Sequence, residues 1–159
     1  TVNEIVFWLM GSLAFRGWPL TLMLVPFLLA GFVLIYRYAN GLNLLALGER
    51  EAQHLGLAVE RTKLVVLTAA TCMTAAAVSV TGIIGFVGLV VPHLVRLLSG
   101  PDYRLLLPMS AIVGAIYVLW ADTLARTVLS PTEIPLGVLT AFIGAPFFAY
   151  LLIRHKRVP

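Results

Sequence analysis

Four stretches of the chain contain no Asp, Glu, Lys or Arg: Leu20 to Tyr36, Leu64 to Val95, Leu105 to Ala121 and Ile134 to Ile153. Each is bounded by charged or turn-forming residues. A helix needs about 20 apolar residues to cross a hydrocarbon core about 30 Å thick, so three of the runs suit one crossing each. The second run is 32 residues long and would make a helix of about 48 Å at about 1.5 Å per residue. It is therefore predicted to fold back on itself, with Gly82 and Gly85 marking the turn. The pattern predicts an all-α integral membrane protein, a polytopic helix bundle with five full crossings near 18–38, 63–80, 84–98, 106–126 and 137–153. Ile5 to Phe15 is apolar but too short to span, so residues 1–17 are expected to be the end of a preceding helix and an outer loop. The chain opens on Thr1 with no basic leader, and this start is expected to fall within a longer protein.

The third crossing differs from the others. Gly85, Gly88 and Pro92 interrupt it, and His93 and Arg96 follow directly, so it is predicted to be short, kinked or broken. Irregular backbone survives at membrane depth only where protein buries it or a watery cavity lines it, so this segment is expected to face the protein interior. The alanine and threonine density from Thr68 to Ser79 predicts close helix packing beside it.

Composition agrees with a lipid environment. Hydrophobic residues make up 60% and charged residues 11% of the chain, and mean hydropathy is +0.99. An ordinary soluble domain is about 25% charged. The net charge of +4 forms no basic stripe interleaved with aromatics, which argues against nucleic acid. Its distribution reports orientation instead. With the connection at 39–62 placed in the cytoplasm, Arg37, Arg50, Arg61, Lys63, Arg96, Arg104, Arg154, Lys156 and Arg157 lie inside, leaving Arg16 and Arg126 outside. A four-crossing chain with no turn at Gly82 would move Arg96 and Arg104 to the other side and spoil this asymmetry. The C-terminus is accordingly expected in the cytoplasm, and Trp18 is an expected interfacial anchor. Cys72, the one cysteine, lies in an apolar run and forms no internal disulfide.

Residues 39–62 form the longest polar interruption. From Asn43 to Arg61 the apolar Leu44, Leu45, Leu47, Ala52 and Leu55 alternate with Glu49, Arg50, Glu51 and Gln53, which predicts two short amphipathic helices hinged at Gly48. Asn43 is expected to cap the first helix, Glu49 and Glu51 to sit in the first turn of the second, and Gly56 to end it. The pair is either a connector on the membrane surface or a docking element for a cytoplasmic partner. Asp122 and Arg126 stand at i and i+4 and are predicted to pair on one helix face. They form either a structural ion pair or a contact for an acidic patch on an external partner. Pro92 with His93 reads as a kink beside a hydrogen-bonded histidine, since no Cys, Glu or second His stands at ligand spacing. Glu133, before Pro135 and Gly137, is expected to cap the last helix rather than perform acid chemistry.

There is no GxxxxGK[ST] loop, no nucleophile with an evident base and no pair of intramembrane carboxylates. The chain is therefore expected to be no enzyme and to need no cofactor or metal. ATP, if used, must be bound by another chain.

The run Gly82 to Gly100, GIIGFVGLVVPHLVRLLSG, followed by Asp102, Arg104 and Pro108, resembles the signature of the ABC-importer permeases for iron-siderophores, haem and cobalamin. ADTLAR at 121–126, EIPLG at 133–137, GAPFF at 144–148 and LALGEREAQHLGL at 45–57 resemble that family in order and spacing. The resemblance covers 1–159 as one partial permease region, the C-terminal half of a ten-helix permease in the bacterial inner membrane. It implies a second permease subunit, alike or paralogous, a cytoplasmic ATPase dimer and a periplasmic or lipid-anchored substrate-binding protein. It assigns ATPase coupling to Leu45, Ala46, Leu47, Gly48, Glu49, Ala52, Leu55 and Gly56, and binding-protein docking to Arg126. Gly85, Gly88, Pro92, His93, Arg96, Asp122, Glu133, Pro135, Gly137, Gly144 and Pro146 are its structural positions. A permease for free metal ions is disfavoured by the scarcity of ligand chemistry in the spans. A noncatalytic membrane scaffold is the reading from another class.

Overall fold

The computed structural model describes residues 2–13, 17–128 and 134–155. Every regular element among them is a helix: α1 (Val2–Leu9), α2 (Trp18–Arg37), α3 (Ala39–Leu45), α4 (Glu49–His54), α5 (Val59–Thr81), α6 (Val87–Ser99), α7 (Tyr103–Thr127) and α8 (Leu136–His155). Among the described residues, α2, α5, α7 and α8 are long and apolar enough to cross a membrane. No residue of α2 is buried, so its apolar surface must be covered by lipid or by other helices.

The third crossing is short, as its glycine and proline content predicts. α6 has 13 residues, about 20 Å at about 1.5 Å each, against about 30 Å of hydrocarbon. The break is placed differently from the expectation. The chain is non-helical from Gly82 to Phe86, and α6 then runs through both Gly88 and Pro92. Pro92 there leaves the Gly88 carbonyl, four residues back, without its helix N–H donor and crowds it with the ring.

Two compact units divide the chain. One contains Arg16–Val80 and Ser99–Met109, hence α2 to α5 and the first turns of α7. Within it Met73 of α5 lies against α2. A methyl group on Gly31 of α2 would lie 2.5 Å from the Met73 side chain. Beside that contact, Phe27, Ala30, Leu34, Ala69 and Cys72 help to line an apolar groove of about 480 Å³. Cys72 is an exposed free thiol.

The other unit contains Thr1–Phe15, Thr81–Leu98 and Ser110–Pro159. Its backbone segments meet directly: Ser12 N–H donates to the Thr81 carbonyl (2.9 Å), Leu136 N–H to Gly11 (3.0 Å) and Gly137 N–H to Met10 (3.0 Å). The first two N–H groups of α8 thereby find partners that the helix itself cannot offer. Ala121, Ala125, Leu136 and Thr140 are buried here.

Phe86 carries the second constraint in this unit. Its φ is 64°, a left-handed conformation that costs a bulky residue about 1–2 kcal/mol. Its carbonyl accepts the Val90 N–H at 2.9 Å and so starts α6. The side chain fits because residue 144 is glycine: a methyl group at Gly144 would lie 2.6 Å from Phe86 Cγ and closer still to its Cβ. Two turns into α6 and one along α8, His93 meets Phe147 edge-on, with ring centroids 6.0 Å apart. His93 thus packs against an aromatic ring.

Candidate functional site

The connection between α2 and α5 folds as two short helices. α3 and α4 are separated by Gly48, whose φ is 119°. Glu49 and Glu51 occupy the first turn of α4 and favour its positive end. The end of α4 is a Schellman turn: Gly56 N–H reaches the Gln53 carbonyl (2.9 Å) and Leu57 N–H reaches Ala52 (3.0 Å), with Gly56 at φ 85°. Glycine is needed there because other residues avoid that conformation.

Three attachments hold this helix pair. Gly41 of α3 is buried against Thr62 of α5, where a methyl group would stand 3.2 Å from Thr62 Cγ2. Glu49 of α4 accepts from Lys63 of α5 at 2.8 Å. The third attachment runs to α7. Asn43 accepts the Tyr103 N–H at 2.8 Å with Oδ1 and donates to Asp102 Oδ1 at 2.8 Å with Nδ2. Arg104 Nε donates to Asn40 Oδ1, one turn back along α3.

Asn43 therefore does not cap its own helix, as its position had indicated. It lies inside α3 and completes the start of α7 instead. Asp102 is the N-cap of α7: its side chain takes the Arg104 N–H (2.9 Å) and its carbonyl takes the Leu106 N–H (2.8 Å). The Arg104 backbone N–H, followed by the Asn43 amide, holds the Asp102 carboxyl below its ordinary value of 3.8. This arrangement was missed in the sequence, although Gly100, Pro101 and Asp102 before an apolar run form a helix-start signal.

The predicted coupling residues divide by exposure. Leu47 and Leu55 are 65% and 62% exposed, with Ala46, Gly48, Glu49 and Gly56 exposed beside them. Leu45 is half-buried. Ala52 is 0% exposed, which removes it from any docking face. A partner reaching this segment meets Leu47 and Leu55.

In the other unit, near the end of α7, Arg126 Nε donates to Asp122 Oδ2 at 2.9 Å, the i, i+4 pair expected from the spacing. The Arg126 side chain is 44% exposed and sits in the last turn of α7, where the helix dipole favours a cation. Glu133, like Arg16, Lys156 and Arg157, lies outside the described residues. Pro135 directly precedes α8 and its carbonyl accepts the Val138 N–H at 3.1 Å. Gly137 lets two backbones approach: a methyl group there would be 2.7 Å from the Ile83 carbonyl oxygen and nearer to that of Met10. Pro146 lies inside α8, and Arg96 lies in the last turn of α6. Gly85 has open space around it, and so does Gly88.

Long apolar helices, one short broken span and a fastened pair of short helices between two spans define a polytopic membrane protein. Comparison with known proteins places it more narrowly. Residues 1–154 match the model of the FecCD transport family, and the chain belongs to that family. It is 48% identical over 157 residues to the cobalamin import system permease BtuC of Halobacterium salinarum, covering 99% of this chain and 42% of that protein. It is 45% identical to the molybdate import system permease MolB of Haemophilus influenzae, covering 97% and 45%. Identity to the hemin transport system permease HmuU of Yersinia pestis is 44%, covering 98% and 46%. A solved structure described as an inward-facing conformation of a transporter of the metal-chelate ABC type superposes with a TM-score of 0.86 at 40% identity, over 96% of this chain and 49% of that one. The chain spans somewhat under half the length of the curated relatives it matches.

Proposed function

We propose that this chain is part of the permease subunit of a binding-protein-dependent ABC importer that carries an iron chelate, haem or cobalamin across the bacterial inner membrane. ATP is hydrolysed by a separate cytoplasmic subunit, and the permease moves its cargo without making or breaking bonds. The observation that supports this reading most directly is the helix pair α3–α4. It is attached to α5 and α7 and leaves Leu47 and Leu55 exposed, as a docking element requires.

The remaining assignments follow from the positions described. The basic residues on the connections support a cytoplasmic position for α3–α4 and the C-terminus. Arg126, near the far end of α7, then faces the periplasm and meets an acidic group on the substrate-binding protein. A second permease copy or paralogue completes the path. Relatives named for cobalamin, hemin and molybdate transport all fall between 44% and 48% identity, so selectivity is assigned chiefly to the binding protein.

The test is assembly. Leu47→Glu and Leu55→Glu in the full-length permease should abolish co-purification with its ATPase while leaving the permease monodisperse. Undiminished co-purification would refute the docking assignment. The cargo is identified by purifying the binding protein with its natural ligand and recording its visible spectrum. A porphyrin, corrinoid or ferric-chelate absorption fits the proposal, and a colourless small anion would transfer it to the molybdate type.

A further inference from the structure

Asn43 does something that neither a surface connector nor a docking patch requires. Its amide joins two helices whose contacting residues are 59 and 60 positions apart, and only one orientation of that amide serves both partners. Oδ1 must face the Tyr103 N–H and Nδ2 must face the Asp102 carboxylate. Asn40, one turn away, adds Arg104 to the same grip. All three α7 partners are consecutive residues at the start of a continuous 25-residue helix. Both gripping side chains are asparagines of α3.

We propose that Asn43 is a positioning residue that fastens the coupling segment to the start of α7, so that displacement of α3–α4 by the ATPase is delivered to α7 as a movement of the whole helix. This rests on the reading of α3–α4 as the ATPase-docking element. The bond to Asp102 has an ionised acceptor, the stronger kind of hydrogen bond. The bond to Tyr103 occupies a helix N–H that has no partner within α7. A pull on α3 is thus applied to the backbone of α7 rather than to a flexible side chain alone.

The chemistry predicts an asymmetric rescue. Asn43→Asp sets two carboxylates against each other and breaks the grip. Adding Asp102→Asn restores it: the new amide donates to the carboxylate at position 43 with Nδ2 while its Oδ1 still accepts from Arg104. Asp102→Asn alone keeps an acceptor for Asn43 and should be mild.

The experiment uses the full-length permease assembled with its ATPase in liposomes, in a cysteine-free background, with a nitroxide on Thr127→Cys at the end of α7. The readout is the change in the label's spectrum on trapping with ATP and vanadate. Asn43→Asp should reduce the responding fraction about three- to tenfold while ATP hydrolysis continues, and Asn43→Asp with Asp102→Asn should return it to the parent level. An unchanged response in assembled Asn43→Asp transporter overturns the proposal. So does a loss of thermal stability and assembly with no loss of response in the assembled fraction, which marks a merely structural bond. Leu47→Glu separates the two readings. If it leaves assembly and response intact, the docking reading fails and the proposal falls with it. If it disrupts assembly while Asn43→Asp leaves the response unchanged, only the fastening fails.

Discussion

Gly144→Ala offers a sharp test of the packing between the start of α6 and α8. The added methyl would lie 2.6 Å from Phe86 Cγ and nearer to Cβ, far inside the ordinary carbon–carbon separation of about 3.5–4.0 Å. Overpacking of this kind costs about 1–3 kcal/mol. Phe86 has little freedom to yield, because its φ of 64° already costs about 1–2 kcal/mol and its carbonyl starts α6. The chemistry of residue 86 then sets a pattern across double variants. Phe86→Ala removes the ring but keeps Cβ, so Gly144→Ala should remain destabilising in that background. Phe86→Gly removes Cβ as well, and with it the three atoms closest to the new methyl. In that background Gly144→Ala should be nearly neutral, a coupling of about 1–3 kcal/mol. Phe86→Gly alone should change little, since relief of the left-handed conformation offsets the lost packing of a half-buried ring. The assay is the thermal midpoint of the purified full-length permease with its ATPase in detergent, where Gly144→Ala should cost several degrees. Equal losses from Gly144→Ala in the parent and in the Phe86→Gly background would refute the reasoning.

Further outcomes follow from the geometry. Gly137→Ala places a methyl group against the carbonyl oxygens of Met10 and Ile83, and backbone cannot swing aside as a side chain can, so folded protein should be lost on size-exclusion chromatography. Gly85→Ala and Gly88→Ala, with nothing within 4 Å, should stay within about 0.5 kcal/mol of the parent in the same thermal assay. Arg126→Glu breaks the 2.9 Å pair with Asp122 and reverses the charge presented beside it, so affinity for the binding protein should fall about three- to tenfold at low salt and less at high salt, by surface plasmon resonance.

The long spans were legible because their signal is local. α2 and α8 fall within about two residues of the apolar runs that announce them. α5 begins at Val59, earlier than expected, because helix hydrogen bonding continues past the hydrocarbon and carries Glu60, Arg61 and Lys63 with it. α6 begins at Val87, later than expected, because the backbone first passes through Phe86 in a conformation that no sequence rule assigns to phenylalanine. The Asp122–Arg126 pair was legible from one helix turn of spacing. Asn43 with Asp102 was not, since the partners are distant in sequence and an asparagine near a helix start reads equally well as a local cap. Burial of Ala52 was also beyond periodicity. A six-residue helix has too few positions to define a face, and alanine suits either side.

Apart from GAPFF inside α8, the motifs that carried the family resemblance cluster where helices begin, end or break, and lipid explains why. Within a span the backbone satisfies itself, so almost any apolar residue serves. At an end, up to four N–H or carbonyl groups lack helical partners, and near a membrane core each must find one in protein. This chain finds them in particular places: the α8 N–H groups in the carbonyls of Met10 and Gly11, the α7 N–H groups in Asp102 and Asn43, and the last carbonyls of α4 in Gly56 and Leu57. Each solution demands a small residue or a specific side chain at a fixed position, as at Gly137, Gly56 and Asp102. The same reasoning separates two kinds of motif residue. Gly137 and Gly144 are fixed by close approach, and their replacement should damage folding. Leu47 and Leu55 satisfy no internal requirement, so damage there should appear first in assembly with the partner.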